Sequence, residues 1–121
     1  MAAQAFFRIV RTSPATVSDF RSYRELGMPL FRDTPTNRRR WEGVSVYETF
    51  EQAVKQARQL EFKFGGFVAE VVIPDDNLSI SMEPGRPQSG HRTVHSEPVS
   101  EQAERLLDHV VAVHQIGVGT P

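Results

Sequence analysis

The amino-acid sequence predicts one α+β domain, with a mixed or antiparallel sheet and about three short helices, and three observations lead there. Short alternating or apolar runs recur along the chain, each of ordinary strand length. Capped segments with helical periodicity lie between some of them, but the regular strand-helix-strand alternation of a doubly wound sheet is missing. The length of 121 residues suits a single core, able to bury roughly two thirds of the surface of its unfolded chain.

Taken in order, Ala5 to Val10 (AFFRIV) is aromatic and β-branched and forms a first strand, with Arg8 on the face of Phe6 and Val10. Ser13 and Pro14 break it. Thr16 to Asp19 has the form of a capping box, opening a short helix that Gly27 and Pro29 close, with Phe20, Tyr23 and Leu26 along its buried side. Met28 to Trp41 carries prolines and arginines without a usable period and reads as a long basic loop. Gly43 to Glu48 alternates as a half-buried strand should. Thr49 to Gln52 is a second capping box, followed by Phe50, Ala53, Val54, Ala57 and Leu60 at helical spacing. Gly65 and Gly66 end that helix, and Phe67 to Ile73 (FVAEVVI) is the most apolar strand, interrupted only by Glu70. Further strands are expected at Leu78 to Met82, His91 to His95 and Val110 to Ile116. The remaining segments read as a flexible turn at Glu83 to Gly90, a helix at Ser100 to Leu107 and a tail at Gly117 to Pro121.

Composition removes several function classes. Lysine and arginine total 14 against 15 aspartate and glutamate, so a net charge of −1 offers no global field for nucleic acid or anionic membrane. Any basic site must be local. The absence of cysteine excludes disulfides, thiolate metal sites and cysteine nucleophiles. MAAQAFFRIV lacks the pattern of a signal peptide and no window is long and apolar enough to span a bilayer, so a cytoplasmic protein is expected. No glycine-rich phosphate loop and no G-x-S-x-G elbow is present.

The residues that could carry chemistry are few. Arginines 38 to 40 could grip phosphate or carboxylate bidentately, or form a solvated basic loop. Trp41, the single tryptophan, could stack on a base, or cap a core edge by burying area. Ser45 and Tyr47 share a strand face and would converge if that face lines a cleft. Glu70 needs a partner inside an apolar strand, and Arg8 is the candidate for an ion pair if Glu70 is not a catalytic acid. His91 and His95 would share a face but lie about 13 Å apart in an extended strand, too far for one metal ion. No metal is expected, and His109 and His114 read as polar surface residues.

Arg40-Trp41, GVSVYET, Ala53 and Ala57, and FVAEVVIPDD together resemble the middle of the ADP-ribosyltransferase-like fold, nearest to the RES family of small bacterial NAD-consuming toxins. The resemblance implies NAD or a related nucleotide as substrate. By position it implies that Arg40 holds the phosphates and Tyr47 faces the nicotinamide, with Arg8, Trp41 and Ser45 around the cleft and Glu61 or Glu70 as carboxylate. Arg58 stands where a glutamate is expected on the helix, which puts catalysis in doubt and leaves Glu61, one turn on, as the replacement. The alternative is a non-catalytic interaction module of the immunity or antitoxin kind, in which Arg38 to Trp41 meets an acidic protein partner.

Overall fold

A computed structural model describes residues 3–30, 32–74, 80–84, 90–96 and 101–117. Its elements run β1 (Ala3–Val10), a 3-10 turn (Val17–Phe20), α1 (Pro35–Glu42), β2 (Val44–Tyr47), α2 (Phe50–Gln59), β3 (Phe67–Pro74), β4 (Ile80–Pro84), β5 (His91–Ser96), α3 (Gln102–Asp108) and β6 (Val110–Gln115). The strands form one sheet in the order β4-β5-β2-β1-β3-β6. Every neighbouring pair is antiparallel, so the fold is α+β with an antiparallel sheet. Among the described residues no helix is long and apolar enough to cross a membrane.

Alternation along β1 explains how the two layers assemble. Phe6 and Val10 are buried in a cluster with Val44, Val46, Ala69, Val71, Ile73 and Val94, closed from outside by Phe20 of the 3-10 turn and by Ala103 and Leu106 of α3. The opposite face receives α2, whose Phe50 ring meets Phe7 edge-on at 6.2 Å. Ala53 and Ala57 are the buried residues of α2, and side chains this small let the helix lie close to β1, β2 and β3. Because both faces of β3 are covered, Val68, Ala69 and Val71 are all buried, which is why its sequence is nearly continuous in apolar residues.

Two segments depart from the sequence reading. The expected long basic loop contains α1: Thr34 caps it by accepting from the Asn37 amide at 3.1 Å, and Pro35 occupies the first turn. No residue of α1 is buried, so it has no apolar stripe for a periodicity search to find. Conversely, the helix expected after Thr16 stops within one turn, because Arg21 is extended at φ −75° and ψ 139°. Of Phe20, Tyr23 and Leu26, only Phe20 reaches the core, and the other two are exposed. Of the strand expected at Leu78 to Met82, the described part lies within β4 (Ile80–Pro84), and 78–79, most of the 83–90 turn, Ser100 and 118–121 lie outside the described residues.

Asp19 organises that single turn. Its carboxylate accepts from the Arg11 amide at 2.9 Å, the Thr12 hydroxyl and the Thr16 amide at 2.9 Å. Burial pushes its pKa up, but the Thr12 hydroxyl and the Arg11 and Thr16 amides outweigh this, and the carboxyl titrates below the ordinary aspartate range. A depressed folded pKa stabilises the fold above the unfolded value of about 3.9, and that contribution disappears as pH falls through the folded pKa. Asp19→Ala is expected to cost about 1–3 kcal/mol at neutral pH by stranding these donors, and to flatten the acid limb of the stability curve. Urea unfolding of both proteins between neutral and strongly acid pH measures this, and parallel curves would contradict it.

Candidate functional site

The centre of the sheet is where β1 meets β2, and the two strands are in register at one pair, Phe7 with Tyr47. Continued regular pairing would set Ile9 against Ser45. Instead the Arg8 side chain turns into the seam, donating from Nη1 to the Ser45 carbonyl at 2.7 Å and from Nε to the Asp19 carbonyl at 2.6 Å. The guanidinium lies 5.9 Å from the centre of the Phe20 ring. Arg8 therefore joins β1, β2 and the 3-10 turn at one point.

The residue as a whole keeps partial exposure, but its charged end is desolvated. Desolvation pushes the guanidinium pKa down to about 10, opposed by the phenol of Tyr23, the carboxylate of Asp19 and the phenol of Tyr47. It remains protonated at neutral pH, and a cation in this setting attracts an anion more strongly than one in open water. Among the described residues no acceptor meets Nη2. The seam thus presents a fixed cation with donor capacity in hand, next to the half-buried Tyr47 and Ser45.

Cross-strand register continues from the Phe7–Tyr47 pair. Ala112, Glu70, Phe7, Tyr47 and His91 stand opposite one another across five strands, on the face that carries α2. The His91 ring meets Tyr47 edge-on at 5.7 Å. On the outer side, His114 Nε2 lies 3.8 Å from the Glu70 carboxylate, and its ring meets Phe50 at 5.4 Å.

The expected site residues consequently divide. Arg8 reaches the Ser45 backbone carbonyl at the seam, but the register sends Arg8 to one face of the sheet and the Ser45 and Tyr47 side chains to the other, so the expected convergence on one face is not seen. The expected Arg8–Glu70 pair does not form: Arg8 stands opposite Ala69 while Glu70 stands opposite Phe7, and the side chain nearest the Glu70 carboxylate is the His114 imidazole at 3.8 Å. With Phe7 between them, Glu70 is two strands from Tyr47, roughly 10 Å at ordinary strand spacing. Glu61 is not a further turn of α2, because the helix ends at Gln59 and Glu61 lies in a turn at φ 53°, exposed. Arg40 and Trp41 belong to α1. Trp41 donates from Nε1 to the Met28 carbonyl at 2.9 Å, and Arg24 and Arg38 lie over its ring at 5.9 and 6.0 Å, but it stands outside the core cluster, so the expected cap on a core edge is not seen.

Sequence reasoning missed Tyr23 and His91. In the sequence, Tyr23 reads as part of a buried helix face and His91 as a polar surface residue, too far from His95 to share a metal ion. Gly43 shows why His95 sits apart from both: it backs onto Gly43, and its Nε2 is 2.8 Å from the Arg39 carbonyl, tying β5 to α1. Among the described residues no group of three metal-ligating side chains converges.

The chain matches no model of a known protein family, and comparison with curated proteins and with solved structures gave no match.

Proposed function

We propose that the β1–β2 seam is the nucleotide-binding cleft of an ADP-ribosyltransferase-like domain, taking NAD or a related nucleotide, with weak or no catalytic turnover. The observation that carries this reading is Arg8 held in the centre of the sheet by two carbonyls, its Nη2 edge unspent among the described residues. A desolvated guanidinium with a fixed orientation suits a pyrophosphate, which it can grip through two parallel bonds. Tyr47, which reaches the gap from the other face of the sheet and meets the His91 ring at 5.7 Å, would offer its ring to the nicotinamide side.

Binding is favoured over catalysis by the position of the carboxylates. Glycosidic cleavage of NAD develops positive charge on a ribose, and a nearby carboxylate stabilises it. Glu70 is screened from Tyr47 by Phe7 and is turned toward His114, while Glu61 lies beyond the end of α2. If turnover occurs, it is nicotinamide release or ADP-ribosyl transfer at a rate limited by this missing help.

Calorimetric titration with NAD up to about 1 mM tests the reading, since −4.1 kcal/mol corresponds to a Kd of that size. Wild type is expected to bind, and Tyr47→Ala and Arg8→Lys to bind at least tenfold more weakly, with circular dichroism verifying that each variant folds. No heat and no thermal shift with the wild-type chain would overturn it.

A further inference from the structure

A different surface carries an independent inference. Tyr23, Leu26 and Met28 are 46%, 52% and 49% exposed, and they account for three of the five exposed large hydrophobic residues among those described. They do not sit on a loose segment. The Leu26, Gly27 and Met28 amides donate back to the Ser22, Arg24 and Tyr23 carbonyls, the Arg24 amide donates to Trp41, and the Trp41 indole donates to Met28. A backbone wired in this way holds apolar side chains in water at a fixed cost in solvation, and clusters of this kind mark interaction sites.

Arg24 and Arg38 lie over the ring of Trp41, whose indole bonds Met28, and the sequence around the cluster is rich in arginine. Residues 21–42 contain six arginines (21, 24, 32, 38, 39 and 40) against Glu25, Asp33 and Glu42, a net +3, which leaves −4 for the rest of a chain of net −1. The acids are already engaged: Asp33 with Arg38, Glu42 with Arg24 at 3.5 Å, and Glu25 with the Ser22 hydroxyl at 3.2 Å. Arg21, Arg32 and Arg40 are exposed, and α1 buries none of its residues. Tyrosine, tryptophan, methionine and arginine are the residue types enriched where proteins meet.

We propose that this surface, the turn at 22–28 together with the exposed side of α1, docks an acidic polypeptide segment that places an aliphatic or aromatic side chain on Leu26 and Met28. Charge complementarity selects the occupant. A long polyanion such as RNA would meet the −4 of the rest of the chain as it extended, whereas a short acidic segment can end at the edge of the basic stretch. The apolar residues have no role toward phosphate and a clear one toward a peptide.

Fluorescence anisotropy of a labelled twelve-residue probe, alternating Asp or Glu with Leu and Phe, tests this at about 0.05 and 0.3 M salt. The wild-type chain is expected to bind the probe and not its Asn/Gln counterpart. Arg40→Glu with Arg21→Glu, and separately Leu26→Ser with Met28→Ser, are each expected to weaken binding at least tenfold. Tyr47→Ala is expected to leave it unchanged, which separates this surface from the seam. The proposal is overturned if the serine pair binds like wild type, if an RNA oligonucleotide of equal charge displaces the probe, or if sedimentation shows that a second copy of the chain occupies the surface.

Discussion

Gly65→Ala is expected to be the most damaging single methyl group that can be added to this protein, destabilising it by about 3–5 kcal/mol or preventing folding. Gly65 closes the turn that follows α2, at φ 139°, a backbone conformation that side chains rarely adopt. A Cβ there would run into the Val10 carbonyl oxygen and would stand 3.0 Å from the Arg11 amide. Neither obstacle is a side chain that could rotate away. Val10 pairs with Phe67 at the start of β3, so relief would have to come from shifting β1 against β3, in the longest ladder of the sheet. Urea denaturation gives the measurement, and a loss below about 1 kcal/mol would mean that the turn can relax where the structure has it pinned.

Phe20→Ala comes second, at about 3–5 kcal/mol for a fully buried phenylalanine. Phe20 is 0% exposed and belongs to the core cluster with Leu106 of α3 and Val46 of β2. Its ring also lies beneath the Arg8 guanidinium. The cavity therefore opens directly against the seam, and nucleotide affinity is expected to fall along with stability. Phe20→Leu tells the two effects apart: it restores most of the volume and the fold but not the aromatic face. If Phe20→Leu binds NAD like wild type, the ring serves only the core.

Parts of this molecule were legible because one physical signal governed them. The Thr49 capping box and the apolar spacing behind it located α2, and the unbroken apolar run from Phe67 announced a strand covered on both faces. Helix α1 was not legible by periodicity, since its residues pack no apolar face and what forms it is local: Thr34, Pro35 and the Arg38–Asp33 pair. The turn at 17–20 misled in the opposite way. Its capping box is real, but the Asp19 carboxylate bonds backward to Arg11 and Thr12 as well, anchoring the turn to β1 rather than starting a longer helix.

For the candidate site, alternation along each strand was readable, but the partner strand was not. Arg8 and Glu70 both interrupt apolar runs, which made them natural partners on paper. Register decides the matter by one residue: Arg8 faces Ala69, and Glu70 is carried to the other side of the sheet. The same register made Tyr47 and His91 neighbours across β2 and β5, a pairing that no spacing within either strand encodes.

The single rung between Phe7 and Tyr47 has a mechanical consequence. Strands β4, β5 and β2 form one panel and β1, β3 and β6 another, and what fastens panel to panel is that rung, the Arg8 clasp, α2 lying across the join and, on the other face, the buried cluster of Phe6 and Val10 with Val44, Val46 and Val94. Thermal opening should begin along this midline rather than at the outer strands, with Ser45 and Ile9 exchanging their amide hydrogens earlier than the amides of β3. An occupant bridging Arg8 and Tyr47 would then act as a second fastener, stiffening the whole sheet from its middle.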